Sequence, residues 1–318
     1  MRKVVILTMS LVALLSGCGS MMSKGTSIMG FKVPYKQYRE VLTREYVVGE
    51  NPHITVRNPR GDVGITAWKQ NKVKLTATKM VRAITTRSAK KYGRQIKIET
   101  ELKGDSLRIS TIPYLWEVPA WREINYALLV PATTSLDIKT SYGEVTVRGS
   151  AVPSVDEANR HSVATQTSQA SIRIRNSHGQ IIVRNIATAD LHITNNHGDI
   201  TLSNIQGKSA VRSSHAKVKV SKVLGDVDLR THWKPILVEN VKGNVTVSNS
   251  HAPVRVRSVE GDLNVTNRCA DVVADSVTGG ISISNSHGDI AVKVFGTIQK
   301  EYRLRAEHGD ITLQLSEE

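Results

Sequence analysis

From Gly198 to Gly288 one position recurs every nine residues: Gly198, Gly207, Ala216, Gly225, Lys234, Gly243, Ala252, Gly261, Ala270, Gly279 and Gly288. Asp199, Asp226, Asp262 and Asp289 follow four of the glycines, and Asp271 follows Ala270. Most of these positions open a short alternating segment, such as Asp199-Ile-Thr-Leu-Ser203 or Asn244-Val-Thr-Val-Ser248. Alternation with period two, rich in β-branched residues and bounded by Gly and Asn, is the pattern of strand and turn. A fixed period sustained over many turns is that of a solenoid.

The nines are of two kinds. Before every second one stands an apolar residue, Ile205, Val223, Val241, Val259 and Val277, each eighteen from the last. Before the others stands a polar corner, such as Asn-Asn-His197, Ser-Ser-His215, Asn-Ser-His251, Asn-Arg-Cys269 and Asn-Ser-His287. The predicted fold is therefore all-β, a single-stack β-solenoid of two-strand coils of about 18 residues, stacked at roughly 4.8 Å per rung. Parity turns Val245 and Val247 inward and carries Asn249 inward at the corner. Asn195, Asn267 and Asn285 share that slot, with Ser213 and Thr231 substituting, as an amide ladder that satisfies buried turn groups. The Asp after Gly is expected to cap its own turn. Calcium rolls need Gly-Gly-x-Gly-x-Asp runs, and none is present, so calcium is not expected.

The chain begins with Arg2, Lys3 and an apolar run too short to cross a bilayer, a secretion signal over residues 1–17. Leu15-Ser16-Gly17-Cys18 resembles the lipobox of bacterial lipoproteins. That resemblance implies cleavage before Cys18, acylation of its thiol and amino group, and a membrane anchor on the cell envelope. Gly19 resembles the outer-membrane sorting pattern, which in a two-membrane host places the protein at the periplasmic face of the outer membrane. The only other cysteine is Cys269, so no disulfide framework is available. Residues 18–45 read as lipidated N-terminus and linker, and 46–140 as a less regular β-rich part of the solenoid domain. Regular coils then occupy 141–318, with an inserted loop at about 150–170. Ser88–Arg94 reads as a single helical turn, and the charged end Ser316-Glu317-Glu318 as a polar cap. Pro113–Trp121, aromatic and bounded by proline, reads as a cap over the open hydrophobic end, the alternative being an exposed contact for sugar or membrane.

Ile54–Trp68 with Lys72–Thr78, Asn125–Pro131 with Leu136–Val147, and the His-Gly-Asp-Ile turns at Gly198 and Gly288 resemble DUF4097, a family of adhesin-like β-strand repeats. The resemblance covers roughly Tyr46 to Leu315 and implies a β-solenoid without established enzymatic activity. Where that family usually has a small residue, this chain repeatedly has His.

Two groups of side chains are candidates for function. His178, His197, His215, His251, Cys269, His287 and His308 share one corner, a stack that could sense pH or hold a soft or borderline metal ion. Parallel side chains do not converge as tetrahedral coordination requires, so neither a metal nor another cofactor is expected. Protonated imidazoles in such a stack repel one another. The melting temperature is therefore expected to fall between neutral pH and pH 5. Lys79, Arg82, Arg87, Lys90, Lys91, Arg94 and Lys97 form the densest basic run of a chain with formal net charge +15. In a secreted, tethered protein such a run faces anionic lipid, lipopolysaccharide or an envelope protein, and not nucleic acid. The sequence thus points to a lipid-anchored envelope scaffold or binding module. A metal- or pH-responsive protein is the alternative, and a polysaccharide-active enzyme is a distant third, because the acids are dispersed at turns.

Overall fold

The computed structural model describes residues 27–28, 31–32, 35–112, 120–149, 169–295 and 300–316. Cys18, the excursion at 150–168 and most of the Pro113–Trp121 loop lie outside the described residues. The first elements are β1 (Ser27–Ile28), β2 (Phe31–Lys32), β3 (Lys36–Val47), β4 (His53–Arg60), β5 (Val63–Trp68) and β6 (Lys72–Ala83). Helix α1 (Thr86–Gln95), β7 (Ile98–Lys103), β8 (Ser106–Thr111), β9 (Trp121–Pro131), β10 (Ser135–Tyr142), β11 (Val145–Arg148) and β12 (Ser171–His178) follow.

The rest is coil upon coil. Each coil lays one strand on a first wall, ends it at the His corner, and lays the next on a second wall. Ile200 pairs with Val218, Val218 with Ile236 and Val227 with Val245, all in parallel at a step of eighteen. The step is nineteen from Ile181 to Ile200 and twenty-one from Ile281 to Tyr302. Leu136 pairs with Ile172, so the thirty-six residues between them make one coil with an excursion. Inward positions such as Val218, Val220, Val245 and Val247 are buried, which gives the stack a thin aliphatic core.

The apolar corner depends on a column the sequence pattern did not flag. Asn185, Asn204, Lys222, Asn240, Ser258 and Ser276, each just before its apolar residue, have φ of 54–58°. A left-handed residue between extended ones turns the chain, and Asn tolerates it better than most residues. Asn204 also donates to Asn185 Oδ1 of the coil below (3.0 Å).

The N-terminal part departs from chain order. Strands β8 and β9 lie beneath β4 and β5, and β10 and β11 lie on their other side. Below this lowest coil the pairing turns antiparallel: β7 on β8, β6 on β9 and β3 on β6. The stretch from Lys36, expected within the linker, is thus a twelve-residue strand of the domain. The expected helical turn is a ten-residue helix, with Thr85 Oγ1 accepting the Ser88 N–H as its N-cap. It leads from the second wall to the first, with Ala89 and Gly93 buried beneath it, and so closes this end of the stack. At Gly93 a Cβ would lie 2.1 Å from the Tyr38 ring, so the helix approaches this closely only with glycine there.

Within the lowest coil Tyr126 is buried with its hydroxyl 2.7 Å from Thr111 Oγ1, and burial pushes its phenol up to about 12. The far end is different. Ile311 (44% exposed), Leu313 (40%) and Leu315 (53%) are exposed in the last coil, and of the expected polar cap only Ser316 lies within the described residues. Their strand pairs only downward among the described residues.

Candidate functional site

The turns were expected to be capped locally by their Asp side chains, but these bonds run between coils. Asp226 Oδ1 accepts the Asn244 N–H (3.0 Å), Asn244 Oδ1 the Asp262 N–H (3.0 Å), and Asp262 Oδ1 the Gly280 N–H (2.8 Å). At the His corner Asp271 accepts from Asp289 (3.1 Å) and Asp289 from Asp310 (3.0 Å). Strand pairing lapses at each turn, so the amide of the next coil presents a donor that only a side chain below it meets. Asp262→Ala is expected to cost about 1 kcal/mol in a urea melt, whereas Asp262→Asn, which keeps the acceptor, stays near wild type.

The His corner is a column of stacked rings. Tyr142 and His178 lie 4.8 Å apart, His178 and His197 4.8 Å, and His197 and His215 4.9 Å, with planes within 11°. Trp233 continues the column at 6.1 Å from His215 and 4.0 Å from His251. His287 and His308 form a separate pair at 4.7 Å. Cys269, half-buried and in register below His287, interrupts the rings between His251 and His287. Below Tyr142 the column gains two residues that the period does not reach. The Arg60 guanidinium carbon lies 5.2 Å from the Tyr142 ring and 4.7 Å from that of Trp121. Such parallel rings keep their nitrogen lone pairs in separate planes. An ion shared by two of them would sit well out of both planes, away from the lone pairs. Among the described residues no group of three or more His, Cys, Asp or Glu is placed to hold a metal. Along this exposed edge stacked ring pairs add to stability beyond their buried area.

The basic run does not act as one surface. Lys79 lies opposite Glu40 in the β3–β6 register, with Nζ 3.4 Å from the carboxylate and its side chain only 12% exposed. It is therefore an internal ion pair, and the expected contact role at Lys79 is corrected. Arg82 and Lys97 are exposed on either side of α1. Arg87, Lys90, Lys91 and Arg94 are exposed at helical spacing on α1 and share one face, opposite Ala89 and Gly93.

Stacked coils and a basic terminal cap define a class: a β-solenoid that presents long repetitive faces. The Toastrack family, DUF4097, matches residues 51–318, and this chain belongs to it. Among solved structures, a candidate adhesin from Bacteroides fragilis NCTC 9343 is similar at 14% identity, over 87% of this chain and 97% of that one, with a TM-score of 0.28. A candidate cell adhesion protein from Clostridium sporogenes ATCC 15579 is similar at 11% identity, over 88% and 100%, with a TM-score of 0.24. No curated protein matches the chain. Likenesses this distant leave partner and activity to the chemistry of the chain itself.

Proposed function

We propose that this protein is a lipid-anchored envelope module, non-catalytic and adhesin-like, whose basic N-terminal end rests on an anionic membrane surface. The observation that carries the proposal is where the chain enters the fold. The domain's first long strand starts at Lys36, paired with Ala83, and Ala83 is three residues before α1. A tether from an acylated Cys18 therefore arrives beside Arg87, Lys90, Lys91 and Arg94. Juxtamembrane cations of this kind each add attraction to anionic headgroups, and together they supplement an acyl anchor. A non-catalytic role fits the turn carboxylates. Asp62, Asp199, Asp226, Asp262, Asp271 and Asp289 are engaged with backbone amides of neighbouring coils and are not free to act as an acid and base pair.

Cys18→Ser is expected to move the protein from the membrane fraction to the soluble fraction. With the unacylated protein, replacing Arg87, Lys90, Lys91 and Arg94 by Ser is expected to abolish flotation with phosphatidylglycerol vesicles and to leave the weak flotation with phosphatidylcholine unchanged. Equal flotation of both proteins with the anionic vesicles would overturn the assignment of this face.

A further inference from the structure

The first wall carries a second basic surface, formed only by the stacking. Register places Arg57 beneath Lys139, Lys139 beneath Arg175, Arg175 beneath Thr194, Thr194 beneath Arg212 and Arg212 beneath Arg230. All five cations are exposed and lie one rung apart or, across Thr194, two. Arg175 is held by Asp137 (2.8 Å) and Arg230 by Asp228 (3.4 Å). Arg57, Lys139 and Arg212 have no acidic partner among the described residues.

At its lower end this column opens into a groove of about 950 Å³ lined by Arg44, Arg57, Arg108 and Lys139, with Glu99 and Glu101 from β7 on its rim. We propose that the column and groove bind a linear acidic polysaccharide bearing one carboxylate per sugar, laid along the rod axis. The proposal rests on the reading of the protein as a non-catalytic binding module and names the ligand of its lateral wall.

Three features select this chemistry. A sugar residue in an extended chain advances by about one rung, so carboxylates recur along the ligand on the same length scale as cations along the wall. Guanidinium and ammonium groups left without acidic partners on the wall supply the complementary charge, and Arg pairs with carboxylate in two parallel hydrogen bonds. Cations and carboxylates together in the groove suit a ligand with both acids and hydroxyls, because Glu99 and Glu101 accept from sugar hydroxyls. The rings at the ends of β10 and β12, Tyr142 and His178, are stacked on one another, with Arg60 and His197 on their outer faces, so nucleic-acid bases find no open ring face there.

The test uses the full chain with Cys18→Ser and size-fractionated polygalacturonate in titration calorimetry. Affinity is expected to rise with oligomer length until the sugar chain spans Arg57 to Arg230, and to fall steeply with added salt. Arg57→Ser, Lys139→Ser and Arg212→Ser together are expected to weaken binding by about tenfold or more. The α1 quadruple Ser variant, which removes four cations elsewhere against three here, keeps wild-type affinity. An unchanged melting temperature separates loss of binding from loss of fold, and the single Arg212→Ser variant, expected to show a smaller loss, serves if the triple variant is unstable. No binding, equal binding of neutral dextran, tighter binding of single-stranded DNA, or equal loss in the α1 variant would each overturn the inference. None of these results bears on membrane docking through α1. Shortening of the polymer during the titration would instead overturn the non-catalytic reading.

Discussion

Replacing Asn195 by Leu is expected to destabilise the coil around it by about 2–5 kcal/mol. Asn195 is fully buried, and its Nδ2 donates to Gly179 O (3.0 Å) in the coil below and to Gly198 O (2.8 Å) in its own turn. Leucine fills the volume but leaves both carbonyls without a donor inside the corner. The same pair of bonds recurs at Asn176, Asn267 and Asn285 and ties those turns to the ones before them, whereas the Ser213 and Thr231 hydroxyls in the same slot meet no partner among the described residues. Solenoid stability is close to a sum of nearest-neighbour terms, so the loss is local. Hydrogen exchange is expected to accelerate over the coils on either side of Asn195 more than at the ends of the rod. Asn264→Ala, on the outward face of the same wall, is expected to stay within about 0.5 kcal/mol of wild type. Equal melting of the two variants would show that the amide ladder does not hold the corner.

Gly243→Ala is the second large effect. Gly243 has φ of +146°, and a Cβ built there would lie 2.5 Å from Gly225 O and 2.6 Å from its carbonyl carbon. The neighbour is backbone, fixed by its own rung, so the coils must separate to admit a methyl group. Backbone strain and overpacking together put the cost at about 3–5 kcal/mol, seen as a lower urea midpoint. Gly104→Ala supplies the comparison. Its φ is +56°, but nothing lies within 4 Å of the added carbon, so only conformational strain of about 1 kcal/mol is expected. A similar loss at both sites would mean that glycine serves the dihedral angle alone and not the close stacking of turns.

These two results probe the part of the fold that was legible in the sequence. A fixed period converts directly into columns, because each rung places a residue above its counterpart one coil earlier. That is why the inward asparagines, the His column and the core valines could be assigned from spacing. The same logic fails where no constant offset links the partners. Arg57 lies beneath Lys139 at a separation the repeat does not contain, because β8 and β9 are inserted below β4 and β5. For the same reason Arg60 and Trp121 joined the ring column unannounced. Lys79 read as one cation in a run until the antiparallel register placed Glu40 against it. The Asp residues were recognised as turn residues but given the wrong partner, since local capping and inter-coil bonding carry the same sequence signature.

The coil, its two unlike corners and the side chains that face the core follow from spacing, because strand parity and a constant step leave those no freedom. How the stack ends, which cations remain unpaired and which turn groups bond between coils emerge only on folding. Those outcomes depend on strands distant in the chain meeting edge to edge, and the energy of that meeting is not written in either strand alone.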